Sequence, residues 1–193
     1  MKNQIRVLAV GELVIPFLGF LMFEWNLYFI ALYYLLDLFF TEIFVWIKIR
    51  KVSSFNSEIL PTSKLLYLSF LIILISFISH LLIHLIYEDF DFITEFIEFI
   101  KYEEPGFPIP QGYILLPLVF MANYQQYKML FIFPAKYRTI QSSFILNNRR
   151  KALYLLVSFL GLGISVSSFF QLPEIIWLIL FAGSKFIYEV RNG

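Results

Sequence analysis

The stretch Leu65-Leu-Tyr-Leu-Ser-Phe-Leu-Ile-Ile-Leu-Ile-Ser-Phe-Ile78 decides the fold. It carries no charge and no period-two alternation, so it does not read as a barrel strand with one lipid-facing and one lumenal side. Backbone N–H and C=O groups in hydrocarbon must be satisfied internally, which leaves the helix as the way for such a run to cross a bilayer. Working outward, the apolar segment extends over 64–87, enough for the roughly 20 residues a membrane helix needs. Hydrophobic residues make up 60% of the chain and its mean hydropathy is +0.76, more than a soluble 193-residue domain can bury. Lipid is the remaining solvent.

Five further segments have comparable length: 5–23, 26–47, 110–133, 152–170 and 173–190. Together the six predict an all-α, polytopic integral membrane protein, a single transmembrane domain over 1–193 built as a six-helix transmembrane bundle. The first segment follows Lys2 and Arg6 as a secretory leader would. Its Glu12 and Pro16, its length and its lack of a small-x-small cleavage site mark it instead as a retained span. Short links at Glu24–Asn26 and Gln171–Pro173 make tight helical hairpins, with Pro173 where a helix starts easily.

Charge orients the bundle. Lys2, Arg6, Lys48, Arg50, Lys51 and Lys64 fall on one side of the six-span arrangement, as do Lys136, Arg138, Arg149, Arg150, Lys151 and Arg191. Lys101 falls on the other side, and Lys128 and Lys185 lie inside spans. Because basic residues in short loops stay cytoplasmic, both the N and C termini are expected in the cytoplasm. The net charge of +1 implies no nucleic-acid partner. The absence of cysteine excludes disulfides, thiolate metal sites and cysteine nucleophiles.

One outer loop stands apart. Glu88, Asp89, Asp91, Glu95, Glu98, Glu103 and Glu104 face the single Lys101. Phe92, Ile93, Phe96, Ile97, Phe99 and Ile100 form an apolar stripe, which predicts an acidic amphipathic interfacial helix over about 89–101. Its polar face lacks the basic residues of membrane-seeking helices, so anionic lipid does not attract it. Either it covers a cavity mouth or gathers cations, or it is a solvated connector resting on the bilayer. The prolines at 105, 108 and 110 then make an extended return to the membrane.

Charges inside spans cost several kcal/mol unless paired or wetted, which makes them the candidate site. Glu12, Asp37, Glu42, Lys128 and Lys185 are such residues. Glu12 and Glu42 lie at depths matching Lys128 and Lys185, so these four are expected either to neutralise one another between helices or, for the lysines, to snorkel to the headgroups. Asp37 has too short a side chain to escape. Tyr33, Tyr34 and Thr41 supply hydroxyls near it, and Glu42 lies about 140° around the helix from it. The run Asn123-Tyr-Gln-Gln126-Tyr-Lys128 covers every direction of a helix, either as interhelical hydrogen-bond glue or as a break lining a cavity. Ser158, Gly161, Ser165 and Ser168 make a small-residue stripe read as helix packing. His80 and His84 share a helix face with Glu88 one turn on, a set that could hold Zn²⁺ with a ligand from another helix. Hydrogen-bonded interfacial histidines are the plainer account. The run Gly161-Leu-Gly-Ile-Ser165 is not a nucleophile elbow.

The residues Tyr33-Tyr34-Leu-Leu-Asp37, Thr41-Glu42 and Lys48 resemble the aromatic pair, acid and terminal lysine of a prokaryotic polytopic membrane family of unknown function. The resemblance implies an inner-membrane helical bundle and no established activity. Three function classes remain in view. The first is a non-enzymatic membrane component or accessory subunit with a buried polar cluster, surrounded by lipid and meeting a membrane-protein partner or its own copies. The second is a small transporter or channel using Asp37 and the Asn123–Lys128 turn. The third is a metal-dependent membrane enzyme using His80 and His84.

Overall fold

The structure, a computed structural model, describes residues 14–23, 25–87, 89–101 and 111–192, without the side chains of 111 and 184–192. Glu12, Glu24, Glu88, the acidic pair Glu103 and Glu104, and the Lys185 side chain therefore lie outside the described residues. Within them the chain is helical and contains no strand. Helix α1 covers 14–22. It is followed by α2 (Leu27–Asn56), α3 (Thr62–Ile86), α4 (Phe92–Lys101), α5 (Gln111–Tyr127), α6 (Ser142–Ser167) and α7 (Glu174–Asn192). By length and apolar composition α2, α3 and α6 can each cross a membrane. The α-helical part of α5 stops at Tyr127, where a π-helical turn, Lys128–Ile132, takes over.

Helix α2 is the hub, packed against α3, α4, α5, α6 and α7. Leu27 to Tyr33 are buried without interruption, the mark of a helix end surrounded on all sides. Asn26 starts it by accepting a hydrogen bond from the Phe29 N–H at 2.7 Å, the usual N-cap arrangement. No glycine or proline lies between Asn26 and Pro61, so α2 runs past the expected end at 47 to Asn56, where Ser57 turns it off with φ 53. Helix α3 shows both solvents at once. Leu65, Leu68, Ile72, Ile75 and Leu82 are buried, while Leu66, Phe70, Ile73, Phe77 and Leu81 form an exposed apolar stripe at helical spacing. An uncovered row of that size is suited to lipid rather than water.

Helix α6 begins at Ser142, ten residues earlier than the span expected at 152–170, and this corrects the placement of Arg149, Arg150 and Lys151 in a loop. Nothing in the sequence breaks the helix there. Its own Gln141 makes no side-chain cap. Glu58, from the α2–α3 link, supplies a carboxylate oxygen 3.4 Å from the Ser142 N–H, where the helix dipole favours negative charge. The Ser142 hydrogen bond holds the Glu58 carboxyl below its usual range. Beside it the Ser53 and Ser142 hydroxyls share a buried hydrogen bond of 2.9 Å.

Helix α4 docks on the start of α2. Asp91 caps it, accepting from the Ile93 and Thr94 N–H groups and the Thr94 hydroxyl, and these bonds hold its carboxyl below the usual range. The apolar stripe is divided between two surroundings. Phe99 is buried with its ring 4.6 Å from Phe29, and Phe92 sits 5.4 Å from Tyr28, while Ile93, Phe96 and Ile97 are exposed. Asn26 donates to Glu95 at 2.6 Å. Gly112 lets α5 begin directly against the end of α4, because a Cβ there would collide with the backbone oxygens of Phe99 and Ile100.

Candidate functional site

Two polar links lie side by side on α2. The first joins α2 to α5. Asn123 donates from Nδ2 to Asp37 Oδ1 at 2.7 Å and to the Val119 carbonyl at 3.1 Å, and its Oδ1 accepts from the Thr41 hydroxyl at 2.9 Å. Both amide hydrogens and the amide oxygen of Asn123 are thus occupied, which fixes its orientation. Asp37 and Thr41 lie one helical turn apart on α2, so one asparagine reaches both. Asp37, Asn123 and Glu42 are all buried.

The second link joins α2 to α6. The Arg149 Nε donates to Glu42 Oε2 at 3.1 Å, and its Nη2 donates to the Leu38 carbonyl at 3.4 Å. Glu42 is therefore neutralised by Arg149, while Lys128, one of the two lysines expected at its depth, lies over the Tyr124 ring. The other Glu42 oxygen, Oε1, is buried and has no hydrogen-bond partner among the described residues. Arg149 is hard to single out from sequence, because with the adjacent Arg150 and Lys151 it reads as part of a cytoplasmic loop. A signal was present: Leu146, Arg149 and Leu153 recur at helical spacing, and all three are buried.

A cavity of about 420 Å³ opens beside these links. Thr41, Gln126 and Arg149 line it, together with Lys48, Lys136 and Asn148. Asp37, Asn123 and Lys128 are not among its described lining residues. Lys128 opens the π turn and places its ammonium 4.7 Å from the Tyr124 ring. Tyr127 stacks against Phe44 and Phe131. The polar run in α5 thus combines glue at Asn123 with a local break next to a cavity, a setting in which π turns recur.

The remaining candidates stay apart from this site. In His80 the Nδ1 lies 2.8 Å from the Ser76 carbonyl, which can only accept, so Nδ1 carries the proton and Nε2 accepts from the Tyr28 hydroxyl at 3.1 Å. His84 is exposed, its ring 6.3 Å from Phe92. Among the described residues no three histidine, aspartate or glutamate side chains gather to hold a metal; Glu88 is outside them. The small-residue stripe does not pack against the described residues. Ser158, Gly161, Ser165 and Ser168 are exposed, and nothing lies within 4 Å of a Cβ built at Gly161. Close packing occurs instead at Gly163, where that Cβ would meet Leu82 at 3.2 Å and Trp177 at 3.3 Å.

Comparison with protein-family models, curated proteins and solved structures returns no match. The resemblance over Tyr33–Lys48 gains no support from it, and the functional reading rests on geometry.

Proposed function

We propose that the chain is a six-span protein of the bacterial inner membrane, both termini cytoplasmic, serving as a non-enzymatic membrane component or accessory subunit. One observation carries the reading: the buried charges of α2 are bonded across helices, Glu42 to Arg149 on α6 and Asp37 to Asn123 on α5. Charges so engaged brace a bundle; a conducting path needs them in water. Six spans are supported by the continuation of α5 into its π turn, which makes one rod over 111–132, and by the 19 residues of α7, roughly 28 Å long at 1.5 Å per residue. The orientation is supported by the grouping of the end of α2, the Lys136–Arg138 turn and the start of α6, where Phe55 meets Tyr137 and Asn56 bonds the Ile140 carbonyl. Helix α4 sits at the other end of α2.

The chain has no cysteine, so single-cysteine variants test both points cleanly. Thr94→Cys is expected to react with an impermeant maleimide on intact cells, and Ser57→Cys only after permeabilisation. Reaction of both from one side overturns the topology. Transport is the second reading, favoured by the cavity reaching Thr41 and Gln126. The bracing reading expects Gln126→Cys to be labelled from the cytoplasmic side alone and Asp37→Cys from neither. Labelling of a folded Asp37→Cys variant from outside replaces bracing with transport.

A further inference from the structure

The cavity beside Arg149 has a chemical character that bracing uses only in part, through Arg149 itself. Three of its described lining residues, Lys48, Lys136 and Arg149, are cationic, and none is acidic. Asn148, Gln126 and Thr41 add hydrogen-bonding groups. The remaining wall is apolar, with Leu130 and Phe131 from the π turn and Phe144, more than half exposed, from α6. Its volume of about 420 Å³ falls within the range of small-molecule sites.

The backbone builds this arrangement from three directions. Arg149 is held in the cavity wall by Glu42 and the Leu38 carbonyl. Lys48 comes from α2 and lies 6.0 Å from the Phe131 ring. Lys136 opens the short helical turn Lys136–Arg138, which follows Ala135 at φ 51, a left-handed conformation that a residue with a Cβ seldom adopts. That reversal brings the lysine back over the cavity. Two ammonium groups converging from separate elements, beside a guanidinium paired with Glu42 and with the amide donors of Gln126 and Asn148 between them, match a tetrahedral oxyanion with several acceptor oxygens. Apolar walls beside that polar patch fit the start of an acyl chain.

We propose that this cavity is a phosphate site, filled by the headgroup of an anionic phospholipid. The lipid source rests on the topology proposed above, which puts Lys48 and Lys136 at the cytoplasmic headgroup level. The phosphate chemistry rests on the cavity alone. Anionic amphiphile at this position would wedge α2, the π turn and α6 together at the end where α6 begins.

The test uses the full chain in a mild non-ionic detergent, so that binding is read without any assumption about orientation. Native mass spectrometry counts retained lipid after addition of phosphatidylglycerol or phosphatidylcholine, and thermal unfolding is followed with each lipid and with inorganic phosphate. Wild type is expected to retain phosphatidylglycerol and to be stabilised by it over phosphatidylcholine. Each lysine near an anionic headgroup is worth roughly a factor of five in affinity, so Lys48→Gln with Lys136→Gln is expected to weaken retention by about 25-fold. Arg50→Gln, an exposed charge outside the cavity lining, tests for general surface attraction and is expected to change nothing. The two lysine substitutions leave the Glu42–Arg149 pair in place, and unchanged circular dichroism and elution volume identify folded protein. Equal retention by the double variant and wild type, or equal preference for the two lipids, overturns the site. Stabilisation by inorganic phosphate with no response to phosphatidylglycerol overturns the lipid assignment. Failure of the cysteine labelling overturns the orientation and leaves the detergent measurement readable.

Discussion

Removing one partner of the Glu42–Arg149 pair should cost more on one side than on the other. At 3.1 Å and an effective dielectric constant of about 20, two unit charges attract by roughly 5 kcal/mol. Both side chains are almost wholly buried, so the missing partner can be replaced only in part, by water entering through the cavity that Arg149 lines. Glu42→Gln leaves a guanidinium that does not deprotonate at accessible pH, and stranding a buried charge costs about 3–5 kcal/mol. Arg149→Met leaves a carboxylate with an escape. Taking up a proton at pH 7 costs at most about 4 kcal/mol, at 1.36 kcal/mol per pH unit from a reference value near 4.3. Glu42→Gln is therefore expected to be the more damaging of the two, and the double variant milder than either single one. The assay is reversible unfolding in mixed micelles titrated with SDS, read through the fluorescence of the three tryptophans. Additive single and double effects, with coupling below about 0.5 kcal/mol, would show that the pair acts as two independent residues and refute the reasoning.

Asn123→Leu removes the donor to Asp37 and the acceptor for Thr41 together, and a loss of about 1–3 kcal/mol is expected in the same SDS titration, against no measurable loss for the exposed Gln125→Ala. Gly112→Ala forces a Cβ against the backbone of α4, so a cost of about 1–3 kcal/mol and faster proteolysis after Lys101 are expected. For Asp91 the hydrogen bonds lower the folded carboxyl, so its contribution is present above the usual aspartate range and is lost as pH falls through the lowered value. Amide exchange should show steady protection of α4 from neutral pH down to about 4 and loss below it. Asp91→Asn, which caps without titrating, should flatten that dependence.

Much of the architecture was legible because it depends on local chemistry. The fourteen uncharged, mostly apolar residues from Leu65 to Ile78 specify a helix whatever surrounds them, and α3 contains them all. The stripe from Phe92 to Ile100 likewise needed only helical spacing, and α4 lies within the expected 89–101. Asn123 was visible as a polar group deep in an apolar segment, where hydrogen bonding is obligatory. Its partner was not, since Asp37 lies 86 positions away and nothing local selects it.

Sequence by itself determined that the chain is helical and which stretches form its apolar rods, because backbone satisfaction and hydrophobic periodicity act over a few residues. Tertiary structure decided the pairings. Charge counting treated Arg149 as one of three adjacent cations, yet the helical rotation between Arg149 and Arg150 points the first at Glu42 and leaves the second exposed. The cap of α6 came from Glu58, and the close-packed glycine proved to be Gly163 rather than Gly161. Each of these choices depends on which neighbour a helix face meets, and that is settled only when the rods assemble.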